Sequence, residues 1–496
     1  WLKILVLKSQ FGDSEYLEAL MAMLALSAVA IAALVRHATS QPRDCSYLDC
    51  EADASFQMLQ YKMEKAGKGM PEWIGKHGNL IRSGWTPAIP PAGISAGPNW
   101  TWTAPVDASR SGIVRGSPVL DSEGSVYQAT TDGDIFKFTA TGKRLWMFSA
   151  GHEIPGNPSL MDNVLYTMTN ECVFMAVDAR GGQLLWKQKA GDKSGGDTHT
   201  VHAGDGVVIA ACHNDHDGQD YSFGGNNIIV ALNSTDGAPL WKYHVDKKVY
   251  NFIASFQDGA VLFSDTYGSV YRLNLSDGRL EWKTSAPETK KGTTGGLAGS
   301  PHGLVYVTSN NESGGLLSAY SVSDGKLVWR RLFPHAANSG PAVHHGENSF
   351  VFVALATNPA MAMAGGFALD LDPYLVGDLT MRKPRMVAAV HPFDGHTLWE
   401  LDLPDWHGAG AGEAPKKTCL PDSFANPSIA GDGSIYLVGM TGELHRFHDA
   451  DGDGKLDPEK GEFKSFDFGR CYQAAPALSQ GILAVAPCDS LHVFLS

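Results

Sequence analysis

Short segments in which apolar and polar residues alternate recur along most of the chain, and this pattern predicts β-strands rather than helices. Segments such as IFKFTA, VFMAVDA, IIVALNS and VYRLNLS follow a similar segment and precede a glycine turn and a further strand. Glycine supplies the positive φ of a tight hairpin, and the tryptophan that follows has the area to fill the space between neighbouring units. The six turn-and-tryptophan endings are TGKRLW at Trp146, GGQLLW at Trp186, DGAPLW at Trp241, DGRLEW at Trp282, DGKLVW at Trp329 and DGHTLW at Trp399.

The spacing of these tryptophans is that of propeller blades rather than helical solenoids. The first four intervals are 40 (146 to 186), 55 (186 to 241), 41 (241 to 282) and 47 (282 to 329) residues. A weaker copy follows Trp399 and has Phe466 in place of the tryptophan, and the chain then ends without an outermost strand. NWTWTAP, which contains Trp102, supplies that strand. We therefore predict an all-β fold, an eight-bladed β-propeller of four-stranded antiparallel blades over residues 99–496, closed by an N-terminal strand.

The repeated ending resembles that of the PQQ-like propeller family, which includes quinoprotein alcohol dehydrogenases and the outer-membrane assembly lipoprotein BamB. The resemblance covers residues 99–496 and implies the propeller fold, but the family includes both cofactor-bearing dehydrogenases and scaffolds without a cofactor. Its quinone enzymes generally place two adjacent cysteines over the cofactor, and this sequence contains no Cys-Cys pair. Their calcium ligands and catalytic aspartate also match no position here. PQQ is thus a cofactor that the resemblance allows and that no matched site supports.

The segment HDADGDGKLDPEKGE places carboxylates at positions 1, 3, 5 and 9 of a loop with Gly454 at position 6, as in EF-hand-type calcium loops. The flanks LHRF and FKSFDF are typical of strands, and Lys460 takes position 12, where an EF-hand has glutamate. The loop is therefore more similar to the D-x-D-x-D-G-x-x-D hairpins of integrin-type propellers. We predict a Ca²⁺ site in the seventh blade, with an acidic solvated turn as the alternative. The candidate ligands are Asp449, Asp451, Asp453, Lys455 (through its carbonyl) and Asp457.

A second candidate metal site lies in the third blade, in the polar stretch THTVHAGDGVVIAACHNDHDGQDYSFGGNN. Imidazole and carboxylate groups suit several divalent ions. The alternative is a solvated insertion whose histidines form local hydrogen bonds, because an H-x-x-H on a loop is not a helical zinc motif. The candidate ligands are His199, His213, His216 and Asp217.

Seven cysteines are compatible with an oxidising compartment, and their odd number leaves one outside any internal pair. Cys172 and Cys212 follow equivalent strands of adjacent blades, which predicts a disulfide, with buried thiols as the alternative. The other predicted pairs are Cys45 with Cys50, and Cys419 with Cys471, for which Cys488 competes.

Residues 1–40 predict a cleavable signal peptide or a signal anchor that holds the protein on a membrane, because residues 19–35 are an uncharged apolar run. A buried soluble helix is a third alternative. Residues 41–98 combine a helix-forming segment (52–67) with a Pro/Gly-rich connector. The sequons at Asn99, Asn233, Asn274 and Asn311 are available for glycosylation. We expect an extracellular, luminal or periplasmic protein, either secreted or membrane-anchored.

A net charge of −14 makes nucleic acid a poor partner. Three functional classes remain. The first is a binding or scaffold propeller for a protein or carbohydrate. The second is a quinone-dependent or metal-dependent oxidoreductase, and the third is another enzyme that uses the funnel on the face where the chain enters the blades. That face, called the entrance face below, is where propellers commonly bind ligands. Candidates on its loops include Arg110, Arg115, His152, Glu153, His335 and Arg470.

Overall fold

The computed structural model describes residues 70–154, 156–194, 200–214, 226–285, 292–346, 348–356, 383–406 and 424–496. The predicted signal segment, the helix at 52–67 and the Cys45–Cys50 pair lie outside these residues. Within them, none of the helices has the length and apolar character needed to cross a membrane. One 3₁₀-helix (Ile94–Ala96) precedes the strands.

The strands form eight four-stranded antiparallel sheets, which confirms the predicted eight-bladed propeller. Blade one contains β2 (Val119–Leu120), β3 (Val126–Ala129), β4 (Asp134–Phe138) and β5 (Arg144–Ser149). Blade two contains β6 (Ser159–Met161), β7 (Val164–Met168), β8 (Val173–Asp178) and β9 (Leu184–Lys189). Blade three contains β10 (His202–Gly204), β11 (Val207–Cys212), β12 (Asn226–Asn233) and β13 (Pro239–Val249). Blade four contains β14 (Ser255–Gln257), β15 (Ala260–Ser264), β16 (Val270–Asn274) and β17 (Leu280–Lys283).

The other four blades repeat this order. Blade five contains β18 (Leu297–Gly299), β19 (Leu304–Asn311), β20 (Gly314–Ser321) and β21 (Leu327–Phe333). Blade six contains β22 (Ala342–His344), β23 (Phe350–Ala356), β24 (Lys383–Val390) and β25 (Thr397–Trp406). Blade seven contains β26 (Ser428–Ile429), β27 (Ile435–Val438), β28 (Glu443–Phe447) and β29 (Phe463–Asp467). Blade eight contains β30 (Ala477–Ser479), β31 (Ile482–Val485), β32 (Ser490–Leu495) and β1 (Trp100–Thr103).

The ring closes as predicted, because β1 pairs antiparallel with β32. Trp102 faces Leu491 in this pairing and packs against Phe136 of blade one, with ring centroids 4.7 Å apart, but Trp100 is the residue that contacts the turn of blade one. The Trp100 indole lies against the turn glycine Gly142, and its Nε1 donates to the Ala140 carbonyl at 2.7 Å. The strand that completes blade eight therefore uses Trp100 rather than Trp102 as its equivalent of the repeated tryptophan.

Five of the repeated tryptophans join neighbouring blades by the same pair of contacts. Trp186 of blade two donates from Nε1 to the Ser234 carbonyl of blade three at 2.9 Å, and its ring lies against the turn glycine Gly237. Trp146, Trp241, Trp282 and Trp329 make the same pair of contacts with the blade that follows each of them. The predicted packing of tryptophan between neighbouring units is thus confirmed. The turn glycine allows the indole to approach closely because glycine has no side chain there.

Residues 70–89, called the collar below, make one circuit of the central channel. The innermost strand of a propeller blade has an inward edge that no other strand of the blade pairs with. Here backbone N–H groups donate to collar carbonyls at 2.7–3.1 Å in seven of the blades, from the inner strand in six of them and from the turn after it in blade eight. The donor and acceptor pairs are Leu120 to Trp73, Leu160 to Ile74, Phe256 to Leu80, Gly299 to Ile81, Val343 to Ser83, Ile429 to Gly84 and Gly481 to Ile89.

The side chains of the collar fill the channel at this level. Trp73, His77, Arg82 and Ser83 are fully buried. In blade three, where the contact is through a side chain, Leu80 lies against Gly204. The segment that the sequence indicates only as a connector is therefore part of the propeller core.

Candidate functional site

A polar cavity lies on the channel axis at the entrance face. Its walls come from the residues that precede the inner strands of six blades, and the collar contributes Lys76. The space open to the centres of water-sized groups is about 40 Å³, which corresponds to roughly three such groups. The lining residues are Lys76, Arg115, Ser117, Asn157, Asn251, Asn338, Phe424, Ala425, Asn426, Gln473 and Ala475.

Amide side chains at equivalent positions join the blades around this cavity. Asn157 of blade two accepts from the Ser117 N–H of blade one and donates to Thr200 Oγ1 of blade three at 3.0 Å. Asn426 of blade seven accepts from the Gly340 N–H of blade six at 2.7 Å. Asn157 thus links the blades on both sides of it, and Asn426 links blade seven to blade six, so these amides hold the walls of the cavity in place.

One amide of the ring presents a donor that no described residue accepts. Asn338 is buried, and its Oδ1 accepts from Asn310 Nδ2 at 2.9 Å, but its Nδ2 has no hydrogen-bond partner among the described residues. A buried amide N–H that lacks an acceptor among the described residues can donate a hydrogen bond to a small polar ligand or a water molecule. The cavity therefore suits a polar group a few atoms in size.

Basic groups of the collar lie beneath the cavity. Lys76 Nζ donates to Asn251 Oδ1 at 3.0 Å, and the Nε of Arg82 makes a long 3.4 Å contact with the Ala254 carbonyl. Burial lowers the pKa of Arg82 to about 9. Burial, and then the charge of Lys76, lowers the pKa of His77 to about 3, so this imidazole is neutral at pH 7. His202 is also buried, and its pKa is well below the ordinary value for the same main reason.

The described residues of the channel do not fit a quinone such as PQQ. The collar occupies the axis, and the remaining 40 Å³ is far smaller than a multi-ring cofactor. Drug-sized molecules need pockets of roughly 300–1,000 Å³.

The predicted calcium loop joins β28 to β29 in blade seven, as expected from the strand-like flanks. This end of the blade is opposite the entrance face, because β29 then carries the chain back to that face. Carboxylate oxygens of Asp449, Asp451 and Asp453 lie within 4.8 Å of one another. The Gly454 N–H donates to Asp449 Oδ2 at 3.2 Å, and the other oxygen of Asp449 is buried and accepts no hydrogen bond from the described residues.

Two residues complete this loop in ways that the sequence pattern did not indicate. Lys460 donates from Nζ to Asp451 Oδ2 at 2.5 Å and lies 3.8 Å from Asp453, so its charge stands beside the acidic cluster. The hydrogen bond from Lys460 is the main reason that the pKa of Asp451 is lowered. Glu462 is buried and accepts from the Asp457 N–H at 2.9 Å and the Ala450 N–H at 3.3 Å. Its carboxylate thus shapes the loop from inside.

Of the candidate metal ligands in the third blade, the structure describes His213. It is buried at the end of β11, and its N–H donates to the Lys193 carbonyl at 2.7 Å. It belongs to neither of the two metal-capable groups found among the described residues. His199, His216 and Asp217 lie outside the described residues, so this site stays a prediction.

The disulfide between Cys172 and Cys212 is confirmed, and it links blades two and three. Near blade eight Cys488 is disulfide-bonded, so the competitor of the predicted Cys419–Cys471 pair takes part in a disulfide. Cys471 and Cys488 are neighbours, since the Cys488 N–H donates to the Cys471 carbonyl at 3.1 Å. Spacing along the chain could not separate two cysteines that the fold places side by side. Cys419 lies outside the described residues.

Comparison with known sequences identifies relatives over the propeller. Residues 99–258 and 225–485 match the sequence profile of the family described as "Outer membrane protein assembly factor BamB". Tetrathionate hydrolase from Acidithiobacillus ferrooxidans is 24% identical over 37% of this chain and 38% of its own length. The assembly factor BamB is 22% identical in Yersinia pestis, over 38% of this chain and 47% of that protein. In Nitrosomonas eutropha it is also 22% identical, over 47% of this chain and 54% of that protein. The chain thus spans about half or less of the length of these relatives.

Solved structures share the fold. BamB from Moraxella catarrhalis superposes with a TM-score of 0.55 at 13% identity, over 80% of this chain and 98% of that one. Quinohemoprotein alcohol dehydrogenase from Comamonas testosteroni superposes with a TM-score of 0.61 at 11% identity, over 90% of this chain and 84% of that one. At such identities the likeness concerns the propeller architecture alone.

Proposed function

The chain belongs to the PQQ-like repeat family described as outer membrane protein assembly factor BamB, and on that premise we propose that it is a binding propeller that acts outside the cytosol. Its entrance face holds a protein partner, and its channel is structural. The observation that carries this proposal is the collar, whose residues line the axis of the described propeller beside a cavity with room for about three water-sized groups. The Cys172–Cys212 disulfide supports a location in an oxidising compartment.

A protein partner is favoured over a carbohydrate by the family description, which names a factor in protein assembly. The alternative function is a quinone-dependent or metal-dependent oxidoreductase that uses the same face. It is supported by the shared architecture of the dehydrogenase and opposed by the small volume of the axial cavity.

Site-specific photo-crosslinking in the native host tests the binding function. A photoreactive residue replaces His152 or Arg470, which are exposed on the entrance face, and in matched controls it replaces Thr141 or Thr235, which are exposed at turns on the opposite face. We expect a discrete protein adduct from the first pair and none from the second. Adducts from the opposite face alone would contradict the proposed location of the partner.

Reconstitution tests the alternative. The purified chain is incubated with PQQ and Ca²⁺, and bound-quinone absorbance and dye-linked alcohol oxidation are measured. We expect neither signal. A stoichiometric quinone spectrum with alcohol oxidation would overturn the assignment as a non-enzymatic propeller.

We also propose that the loop between β28 and β29 binds a structural Ca²⁺ ion. The three converging aspartates and the buried, unbonded oxygen of Asp449 support this proposal, since Ca²⁺ takes six to eight oxygen ligands. Bound Ca²⁺ would hold one hairpin of blade seven and would have no direct part in binding at the entrance face. Thermal unfolding in Ca²⁺ and in chelator provides the test. We expect a higher midpoint in Ca²⁺ for the wild type and equal midpoints for Asp453→Asn, whereas equal midpoints for the wild type would refute the site.

A further inference from the structure

Blades three to six share one six-residue turn between their third and fourth strands. In blade six the turn runs from His391 to His396. The His391 N–H donates to the His396 carbonyl at 2.8 Å, and the Gly395 N–H donates to the His391 carbonyl at 2.9 Å. The His396 N–H donates to Asp394 Oδ1 at 3.1 Å. The first and last residues of the turn therefore face each other, with the aspartate between them.

The same three hydrogen bonds occur in blade five. There Ser321, Asp324 and Lys326 take the places of His391, Asp394 and His396, with distances of 2.9, 2.9 and 3.2 Å. Blade four has Asn274, Asp277 and Arg279 at these places, and blade three has Asn233, Asp236 and Ala238. Among these four turns, only that of blade six has an imidazole on both sides of the aspartate.

The repeated turn thereby gathers two nitrogen ligands and one oxygen ligand. Asp394 Oδ1 lies 2.9 Å from His391 Nδ1 and 2.7 Å from His396 Nδ1. The two imidazole rings stack with their centroids 4.7 Å apart. About 22% of the His391 side chain and 56% of the His396 side chain are exposed, so solvent reaches the cluster.

The neighbouring blade fixes the backbone of this turn. Trp329 of blade five donates from Nε1 to the Pro392 carbonyl at 2.7 Å, and its ring lies against Gly395. The three side chains therefore project from a backbone that is held in place, which reduces the ordering cost of binding an ion.

We propose that His391, Asp394 and His396 bind a divalent transition-metal ion of the Zn²⁺, Ni²⁺ and Cu²⁺ group. Imidazole nitrogen combined with carboxylate oxygen suits these ions, whereas Ca²⁺ prefers oxygen ligands alone. Tetrahedral zinc, with bonds of roughly 2.0–2.2 Å, separates its ligands by about 3.3–3.6 Å. Binding therefore requires the two imidazole rings to rotate out of their stacked arrangement, so that each Nδ1 points to the same ion. Both Nδ1 atoms then face the ion, each neutral ring carries its proton on Nε2, and water takes the fourth position.

Zinc titration of the purified full chain by calorimetry tests this site. The double variant His391→Asn/His396→Asn is expected to bind one equivalent of zinc fewer than the wild type. Asp394→Asn is expected to lower the affinity of this site for zinc at least tenfold. Asp324→Asn, the same change in the blade-five turn, is the matched control and should leave zinc binding unchanged. Circular dichroism confirms that each variant is folded.

A gain-of-site variant gives an independent measurement. Ser321→His combined with Lys326→His places the blade-six pattern on the equivalent backbone of blade five, and we expect one additional equivalent of zinc. Visible absorption of the Co²⁺-loaded protein should rise with the added site and fall with the double His391/His396 variant. The same stoichiometry for the wild type and the double His391/His396 variant would overturn the proposal, as would no gain from the blade-five variant.

Discussion

Trp282 of blade four and Gly325 of blade five form one contact that joins their blades. Trp282 Nε1 donates to the Val322 carbonyl at 3.0 Å, and a Cβ at Gly325 would lie 2.6 Å from the indole ring. Gly325 also has a φ of 70°, which favours glycine. One residue thus meets two requirements, the left-handed turn and the close approach of the tryptophan.

Gly325→Ala should therefore lower the stability of the propeller for two separate reasons. The left-handed conformation costs about 1–2 kcal/mol for alanine, and displacing the indole adds about 1–3 kcal/mol. Gly259→Ala is the matched control, because Gly259 has a φ of 68° and nothing within 4 Å of the added Cβ. Urea unfolding measures both variants. Equal losses at the two positions would show that the contact with Trp282 contributes nothing.

Arg82→Met should stabilise the protein by about 1–3 kcal/mol, because replacing a buried, poorly paired charge with an apolar side chain of similar volume removes its desolvation cost. The Nη1 and Nη2 groups of Arg82 make no hydrogen bond to the described residues. Arg272→Met is the control, since Arg272 is buried but donates to Glu281 at 2.6 Å. That variant should lose about 1–3 kcal/mol, because it removes a charge-assisted hydrogen bond to Glu281, which lies at the surface. Destabilisation of Arg82→Met in urea would indicate that the guanidinium has a favourable role in the collar.

Acid should weaken the fold through His77. Its pKa is about 3 in the folded protein and about 6.5 when unfolded, so below pH 6.5 the unfolded chain binds a proton that the fold does not. Stability falls as the pH drops from about 6.5 toward 3, by up to about 2 kcal/mol between pH 7 and pH 5 from this residue. His77→Asn should flatten the pH dependence, since asparagine tolerates the φ of 61° at this position. His152→Asn, at an exposed position, should keep the wild-type curve. Parallel curves for all three proteins would contradict the prediction.

Lys460→Glu should tighten Ca²⁺ binding by about tenfold or more. The change removes an ammonium group that contacts Asp451 and supplies a carboxylate at the loop position where an EF-hand has its bidentate glutamate. Lys464→Glu alters the net charge by the same amount from β29 and serves as the control. Calorimetric titration with Ca²⁺ compares the two variants. A similar gain in both would assign the effect to general electrostatics rather than to the loop.

Much of the fold could be predicted from the sequence because short sequence patterns define each repeat. Alternating apolar and polar residues indicate the strands, and the glycine four residues before each tryptophan indicates the turn. Both signals come from residues adjacent in sequence, so the blades can be predicted without knowledge of the tertiary structure. The ring closure through β1 also followed from counting strands, and the Cys172–Cys212 bond followed from equivalent positions in adjacent blades. Which tryptophan of NWTWTAP contacts the turn of blade one did not follow, because Trp100 and Trp102 lie two residues apart on one strand and both pack against blade one.

The sequence by itself determined the eight blades and the acidic loop of blade seven, because each depends on residues close together in the chain, and the count of strands determined the closed ring. Only the tertiary structure decided the collar, whose residues have no strand periodicity and bind through backbone carbonyls to strands far along the chain. The burial of Arg82 against Ala254, 172 residues away, illustrates this dependence. The convergence of His391 and His396 on one oxygen of Asp394 was likewise decided by the turn backbone and the blade that holds it, since sequence order alone does not specify which side chains face each other.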